Sequence, residues 1–210
     1  MTNTINFRGQ PFHFIGIGGI GMSALALVLA KRGLPVSGSD LRSTPITQRL
    51  AAAGARIFTS QSASNIEGAT TRAATTVVSE PQPVAVGATS GSNEDSRLAT
   101  AAATWQRPQV ICSTAIRADN PEYQAALAQN CPLFHRADLL AALLQQYESV
   151  AVAGTHGKTT TSSLISYILV SAGVDPTVLV GGEIRALGGN ARLGYSRYLV
   201  AEADESDGSL

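Results

Sequence analysis

Two glycine-rich turns constrain what this chain can fold into. Gly16-Ile17-Gly18-Gly19-Ile20-Gly21 follows the apolar, β-rich run 12–17 and opens a stretch of helix formers from Met22 to Lys31. Gly154-Thr155-His156-Gly157-Lys158-Thr159-Thr160 follows the apolar run 149–153 and opens a second such stretch over 159–172. A strand that ends in a glycine turn and passes straight into a helix is the first half of a crossover, and crossovers build parallel sheets. Further strands are predicted at 35–39, 55–58, 109–112, near Leu133, at 177–180 and at 198–201, with helices at 46–53, 121–129 and 137–146. The expected class is therefore α/β. The polar run Gln145-Gln146-Tyr147-Glu148 reads as a linker between two units, 1–147 and 148–210.

Composition excludes several classes of function. Lys plus Arg and Asp plus Glu are both 15, the net charge is zero, and 14% of the 210 residues are charged. Such a chain has no global field to recruit nucleic acid or an anionic membrane. Apolar residues make up 44%, yet no apolar run approaches the roughly 18 residues of a membrane span, and residues 1–15 lack a signal-peptide pattern. A soluble, cytoplasmic protein is expected, with its oligomeric state left open. Cys112 and Cys131 have neither CxxC nor Cys/His ligand spacing and read as reduced, partly buried thiols. Over 59–106 the pattern dissolves into Ala, Ser, Thr and Gly with Pro81 and Pro83. This stretch reads as a flexible insertion, with short strands at most over 76–78 and 83–86, because it offers too little apolar surface to offset its ordering entropy.

The first turn matches GxGxxG in the strand–turn–helix context that gives the pattern meaning, and Asp40 stands at the end of the next strand. Glycines let the backbone approach a pyrophosphate, which free N–H groups and the helix dipole then stabilise. Asp40 suits a ribose hydroxyl, or it caps the helix that follows. NAD, FAD and nucleotide sugars all carry the pyrophosphate. The second turn resembles a phosphate-binding P-loop, although Val152 stands where GxxxxGK[ST] has its first glycine. Lys158, one of two lysines in the chain, would reach the β- and γ-phosphates, Thr159 would offer a hydroxyl to Mg²⁺, and His156 would shape the loop. The magnesium shell needs a carboxylate at a neighbouring strand end. Glu202, first in the run Glu202-Ala203-Asp204-Glu205-Ser206-Asp207 after the apolar 198–201, is the best placed.

Taken together, Gly16 to Ser23, Gly38-Ser39-Asp40, Ser113-Thr114-Ala115-Ile116 with Asp119-Asn120-Pro121-Glu122, Ala153 to Thr161 and Ala201 to Asp207 resemble the Mur ligases. The resemblance covers nearly the whole chain outside 59–106. It implies a Rossmann-like parallel-sheet domain over 1–147 that binds UDP-N-acetylmuramate through Gly18, Gly19, Ile20, Gly21, Asp40, Ser113, Thr114 and Asn120. It implies the start of a P-loop ATPase α/β domain over 148–210, with Gly154, Thr155, His156, Gly157, Lys158, Thr159 and Thr160 around ATP. The implied catalytic residues are Lys158, Thr159 and Glu202, with Thr159 and Glu202 on Mg²⁺. The implied substrates are UDP-N-acetylmuramate, ATP and L-alanine, joined through an acyl phosphate in peptidoglycan synthesis.

In the family a C-terminal domain follows, whereas this sequence stops at Leu210, just past the acidic run. It is accordingly expected to be an N-terminal portion without turnover of its own. The rival readings are a non-catalytic nucleotide-binding fragment and a nicotinamide-dependent oxidoreductase built on 12–146, the latter leaving the second loop unexplained.

Overall fold

Phe12, His13, Phe14 and Ile15 are all without solvent exposure, which requires cover on both faces of the strand they form and neighbours on both edges. That strand, β1 (Phe12–Ile15), is the centre of a five-stranded parallel sheet ordered β3-β2-β1-β6-β7. Its other members are β2 (Val36–Ser39), β3 (Arg56–Phe58), β6 (Gln109–Cys112) and β7 (Leu133–His135). The structure, a computed structural model, describes residues 4–72 and 105–203. The helices of this half are α1 (Ile20–Lys31), α2 (Pro45–Ala52), α3 (Ser64–Ala69), α4 (Pro121–Ala128) and α5 (Arg136–Leu144). Pro at the first helical position and a capping side chain start two of them, Thr44 for α2 and Asn120 for α4. The chain leaves β1 toward β2 on one side and returns as β6 on the other, so strand order reverses there, and open α/β sheets bind ligands at that switch point.

A second sheet, ordered β10-β9-β11-β8, comprises β8 (Glu148–Val152), β9 (Thr177–Ile184), β10 (Gly189–Arg192) and β11 (Tyr198–Glu202). Strands β8, β11 and β9 are parallel, and β10 folds back antiparallel on β9. Helix α6 (Lys158–Ser171) packs on β8, β9 and β11.

Helix α1 joins the two halves. Every residue from Met22 to Leu29 is buried, because the helix packs on α2, α5 and β2 of the first half and on β9 and β10 of the second. One continuous core results, running from Phe12, Leu25 and Leu139 through to Leu179, Leu199 and Ala201. The expected linker is pinned rather than free. Arg32 donates to Gln146 Oε1 at 2.8 Å and to the Tyr147 hydroxyl, and Thr177 Oγ1 lies 3.4 Å from that same hydroxyl.

The flexible insertion expected over 59–106 needs correction at both ends. Helix α3 is too short and too polar to show periodicity in sequence, yet Ile66 is fully buried in a small second core with Ile15, Val110, Ala126 and Cys131. Asn65 anchors it further, donating to Ser60 O and to Glu122 Oε1, each at 2.6 Å. Strands β4 (Thr71–Arg72) and β5 (Trp105–Gln106) pair antiparallel, so the chain departs and returns side by side. The strands expected at 76–78 and 83–86 lie outside the described residues. Among the described residues no helix is long and apolar enough to cross a membrane.

Candidate functional site

The first glycine loop is held from below by β2. Ser39 O accepts the amides of Gly16 and Ile17, both at 2.9 Å, and Asp40 Oδ2 accepts the amide of Gly18 at 2.9 Å. Gly19 N turns back onto Gly16 O at 3.2 Å. The donors that remain are one step further on. Helix α1 has no side-chain cap at Gly19, and the amides of Ile20, Gly21 and Met22 meet no acceptor among the described residues. Three N–H groups at the positive end of a helix dipole form a site for an anion such as a diphosphate. The loop after β6 flanks this site, with Ile116 Cδ1 3.6 Å from where a Cβ on Gly16 would stand.

The second glycine loop follows β8 and leads into α6. Gly157 caps α6 at φ +76°, a conformation that favours glycine, and having no side chain it offers the first turn no capping acceptor. From Thr155 to Thr160 no backbone amide has an acceptor among the described residues. Lys158 Nζ folds back onto Gly154 O at 2.5 Å. Thr159 Oγ1 donates to Glu202 Oε1 at 3.0 Å, and Glu202 Oε2 accepts from Gly181 N at 2.8 Å. A Cβ on Gly181 would stand 2.6 Å from Glu202 Oε1, so only glycine on β9 lets the carboxylate sit there. Between the two loops lies a cavity of about 190 Å³ bounded by α1, α5, β9 and the end of β11, with Gly21 on one side and Glu202 on the other.

Residues 11–148, which span both strands of the switch point, match the sequence model of the "Mur ligase family, catalytic domain". The chain belongs to the Mur ligase family. It is 58% identical over 210 residues to the UDP-N-acetylmuramate--L-alanine ligase of Synechococcus elongatus, covering 100% of this chain and 38% of that one. To the enzyme of that name from Nostoc punctiforme it is 60% identical, covering 100% and 40%. The solved UDP-N-acetylmuramate-alanine ligase from Thermotoga maritima superposes with a TM-score of 0.70 at 32% identity, over 94% of this chain and 37% of that one. A UDP-N-acetylmuramate:L-alanyl-gamma-D-glutamyl-meso-diaminopimelate ligase from Neisseria meningitides gives a TM-score of 0.70 at 25% identity, over 93% and 53%. The chain thus spans about two fifths of the length of the curated Mur ligases it matches.

The candidate residues distribute as follows in this Mur ligase fold. Lys158, Thr159 and Glu202 converge at the second loop, beside Gly154, Thr155, His156, Gly157 and Thr160, with His156 exposed. Ile20 and Gly21 present free amides, whereas Gly18 and Gly19 have theirs engaged within the loop. Asp40 acts on the loop itself: one oxygen takes Gly18 N and the other takes Arg42 N at 3.0 Å, while the next helix is capped by Thr44 instead. Ser113 and Thr114 follow β6 at the switch point, with Thr114 exposed.

The side chain of Asn120 is engaged within the protein. Its Oδ1 accepts the amides of Glu122 and Tyr123 as the cap of α4, and its Nδ2 donates to Gln61 Oε1 at 2.8 Å. Sequence reasoning missed Gly181, which was visible only as part of a glycine-rich stretch. It also missed Arg136 and Asn190, whose Nδ2 donates to Ile20 O at 2.7 Å and so ties β10 to the first turn of α1. Nothing in local sequence marks either one.

Proposed function

We propose that this chain is the nucleotide-binding portion of an ATP-dependent Mur ligase that joins L-alanine to UDP-N-acetylmuramate in peptidoglycan synthesis. On this reading residues 1–147 hold the nucleotide sugar and 148–210 begin the P-loop ATPase unit. The observation that carries it is the pair of open amide cradles at the starts of α1 and α6, at Ile20 to Met22 and at Thr155 to Thr160, with a cavity lined by Gly21 of the first and by Glu202, the partner of Thr159 in the second.

The chemistry joins two anions, a sugar carboxylate and the γ-phosphate. The carboxylate oxygen attacks the γ-phosphorus, ADP leaves, and the amine of alanine then displaces phosphate from the acyl phosphate. The amides of 155–160 and the Lys158 ammonium offset the charge that keeps the two anions apart, and the loops hold the reacting atoms in line. Thr159 Oγ1 and Glu202 Oε1, two hard oxygen donors 3.0 Å apart, fit Mg²⁺, which takes few protein ligands and completes its shell with phosphate oxygens and water. Bound there it would supply charge neutralisation to the phosphates. A cytoplasmic location is part of this reading.

Titration calorimetry of the chain with UDP-N-acetylmuramate and, separately, with Mg²⁺ and ATP tests the reading. Heat of binding is expected for both. Lys158→Ala is expected to weaken ATP by about tenfold or more, the worth of a charge-assisted hydrogen bond, and to leave the nucleotide sugar unaffected. A well-folded chain that binds neither ligand would overturn the proposal.

A further inference from the structure

The cavity between the two loops is walled by apolar side chains, among them Ala24, Leu25, Leu140 and Leu179, and carries two charged ones of opposite sign, Arg136 and Glu202. Glu202 belongs to the Thr159 side. Arg136, half-buried, belongs to the other. It is the first residue of α5, where the positive end of the helix dipole disfavours a cation, so helix stability does not account for it. Its guanidinium lies against the first turn of α1, so close to Gly21 that a Cβ there would collide with Nη1.

We propose that Arg136 binds the carboxylate of the sugar acid in this cavity and thereby selects an acid-bearing nucleotide sugar over its neutral counterpart. The assignment rests on the function proposed above. With the diphosphate on the amides of Ile20 to Met22, the next anion on the way to Thr159 and Glu202 is the carboxylate, and Arg136 is the cation that lines that path. A planar guanidinium pairs with a carboxylate through two parallel hydrogen bonds. Low-dielectric walls strengthen that pairing and keep the carboxylate at hand for the phosphate that arrives from the second loop.

The test compares calorimetric affinities for UDP-N-acetylmuramate and for UDP-N-acetylglucosamine, which has the same nucleotide and sugar without the lactyl carboxylate. The native chain is expected to favour the acid by about tenfold or more. Arg136→Met is expected to abolish that preference while keeping its affinity for the neutral sugar nucleotide, which also shows that the variant is folded. Arg136→Lys, a point charge without the fork, is expected to restore part of the preference. Gly21→Ala, which keeps the amide but displaces the guanidinium, is expected to lower it. A preference unchanged in Arg136→Met overturns the assignment. Equal loss of both ligands in Arg136→Met also overturns it, because the arginine would then serve the diphosphate or the fold. A native chain that binds both equally refutes the role of Arg136 while sparing the proposed function; one that binds neither refutes both.

Discussion

Glu122 is completely buried, and its carboxylate is the hub of a polar network under the first glycine loop. Ser39 Oγ donates to Oε2 at 2.5 Å, Asn65 Nδ2 donates to Oε1, and His13 Nε2 lies 3.3 Å from Oε1. His13 Nδ1 in turn lies 3.0 Å from Ser37 Oγ. A buried carboxylate is tolerated only when it is paired and hydrogen-bonded like this, and removing it strands every partner at once. Glu122→Ala is therefore expected to destabilise the fold by about 3–5 kcal/mol in urea titration. Because Ser39 O also holds the amides of Gly16 and Ile17, the same change is expected to weaken the nucleotide sugar more than ATP. The two thiols behave differently. Burial pushes Cys112 and Cys131 above the ordinary thiol range, with Asp138 adding to the effect at Cys112 and Arg107 opposing it at Cys131. The folded chain then holds those protons after the unfolded chain has lost them. Their contribution to stability is full below the ordinary thiol range and declines as pH rises through it. Denaturation midpoints measured across alkaline pH are expected to fall, and to fall less steeply in a variant with both Cys112→Ser and Cys131→Ser.

At the level of the element, helix starts decide which backbone donors stay available. Helix α4 begins with Asn120 accepting the amides of Glu122 and Tyr123, whereas α1 and α6 begin with Gly19 and Gly157, which accept nothing through a side chain. The capped helix is closed to anions and the two glycine-started helices are open to them. Asn120→Ala is accordingly expected to cost about 1 kcal/mol of stability, the worth of an N-cap. It is expected to leave affinity for UDP-N-acetylmuramate unchanged once the protein is folded, a result calorimetry can separate from a ligand role. Only the tertiary structure shows that the side chain of Asn120 meets both Gln61 and the α4 amides. Helix α3 was hidden for a related reason: its buried residues include Asn65 and Ile66, whose partners Glu122, Ile15, Val110 and Ala126 come from α4, β1 and β6, distant along the chain.

Across the whole molecule, α1 makes the two sheets one cooperative body. It sends Leu25 and Leu29 into a core that includes Leu179 and Ala191 of the second sheet, and Asn190 grips its first turn. Arg49 reaches from α2 to Glu183 at 3.3 Å, but that pair is largely exposed and contributes little. Unfolding followed by circular dichroism and by hydrogen exchange in β8 and β11 is expected to show a single transition. Leu25→Ala is expected to lower the stability of both sheets together by about 2–5 kcal/mol. Two separate transitions would contradict a shared core.

The sequence by itself determined the local units: β-rich runs that end in glycine turns, the helices those turns start, and hence a parallel α/β fold with two phosphate-type loops. Those features are short-range, since glycine spacing, apolar runs and capping residues act within a few positions of one another. Lys158, Thr159 and Glu202 were legible for the same reason, each standing beside a turn or at the end of an apolar strand. Only the tertiary structure decided how the units meet. It placed α1 between the sheets, engaged the Gly18 and Gly19 amides so that Ile20 to Met22 carry the open donors, and brought Gly181 under Glu202 and Arg136 over Gly21. Each of these depends on packing between residues distant in sequence, and no local pattern encodes which distant side chain will fill a given space.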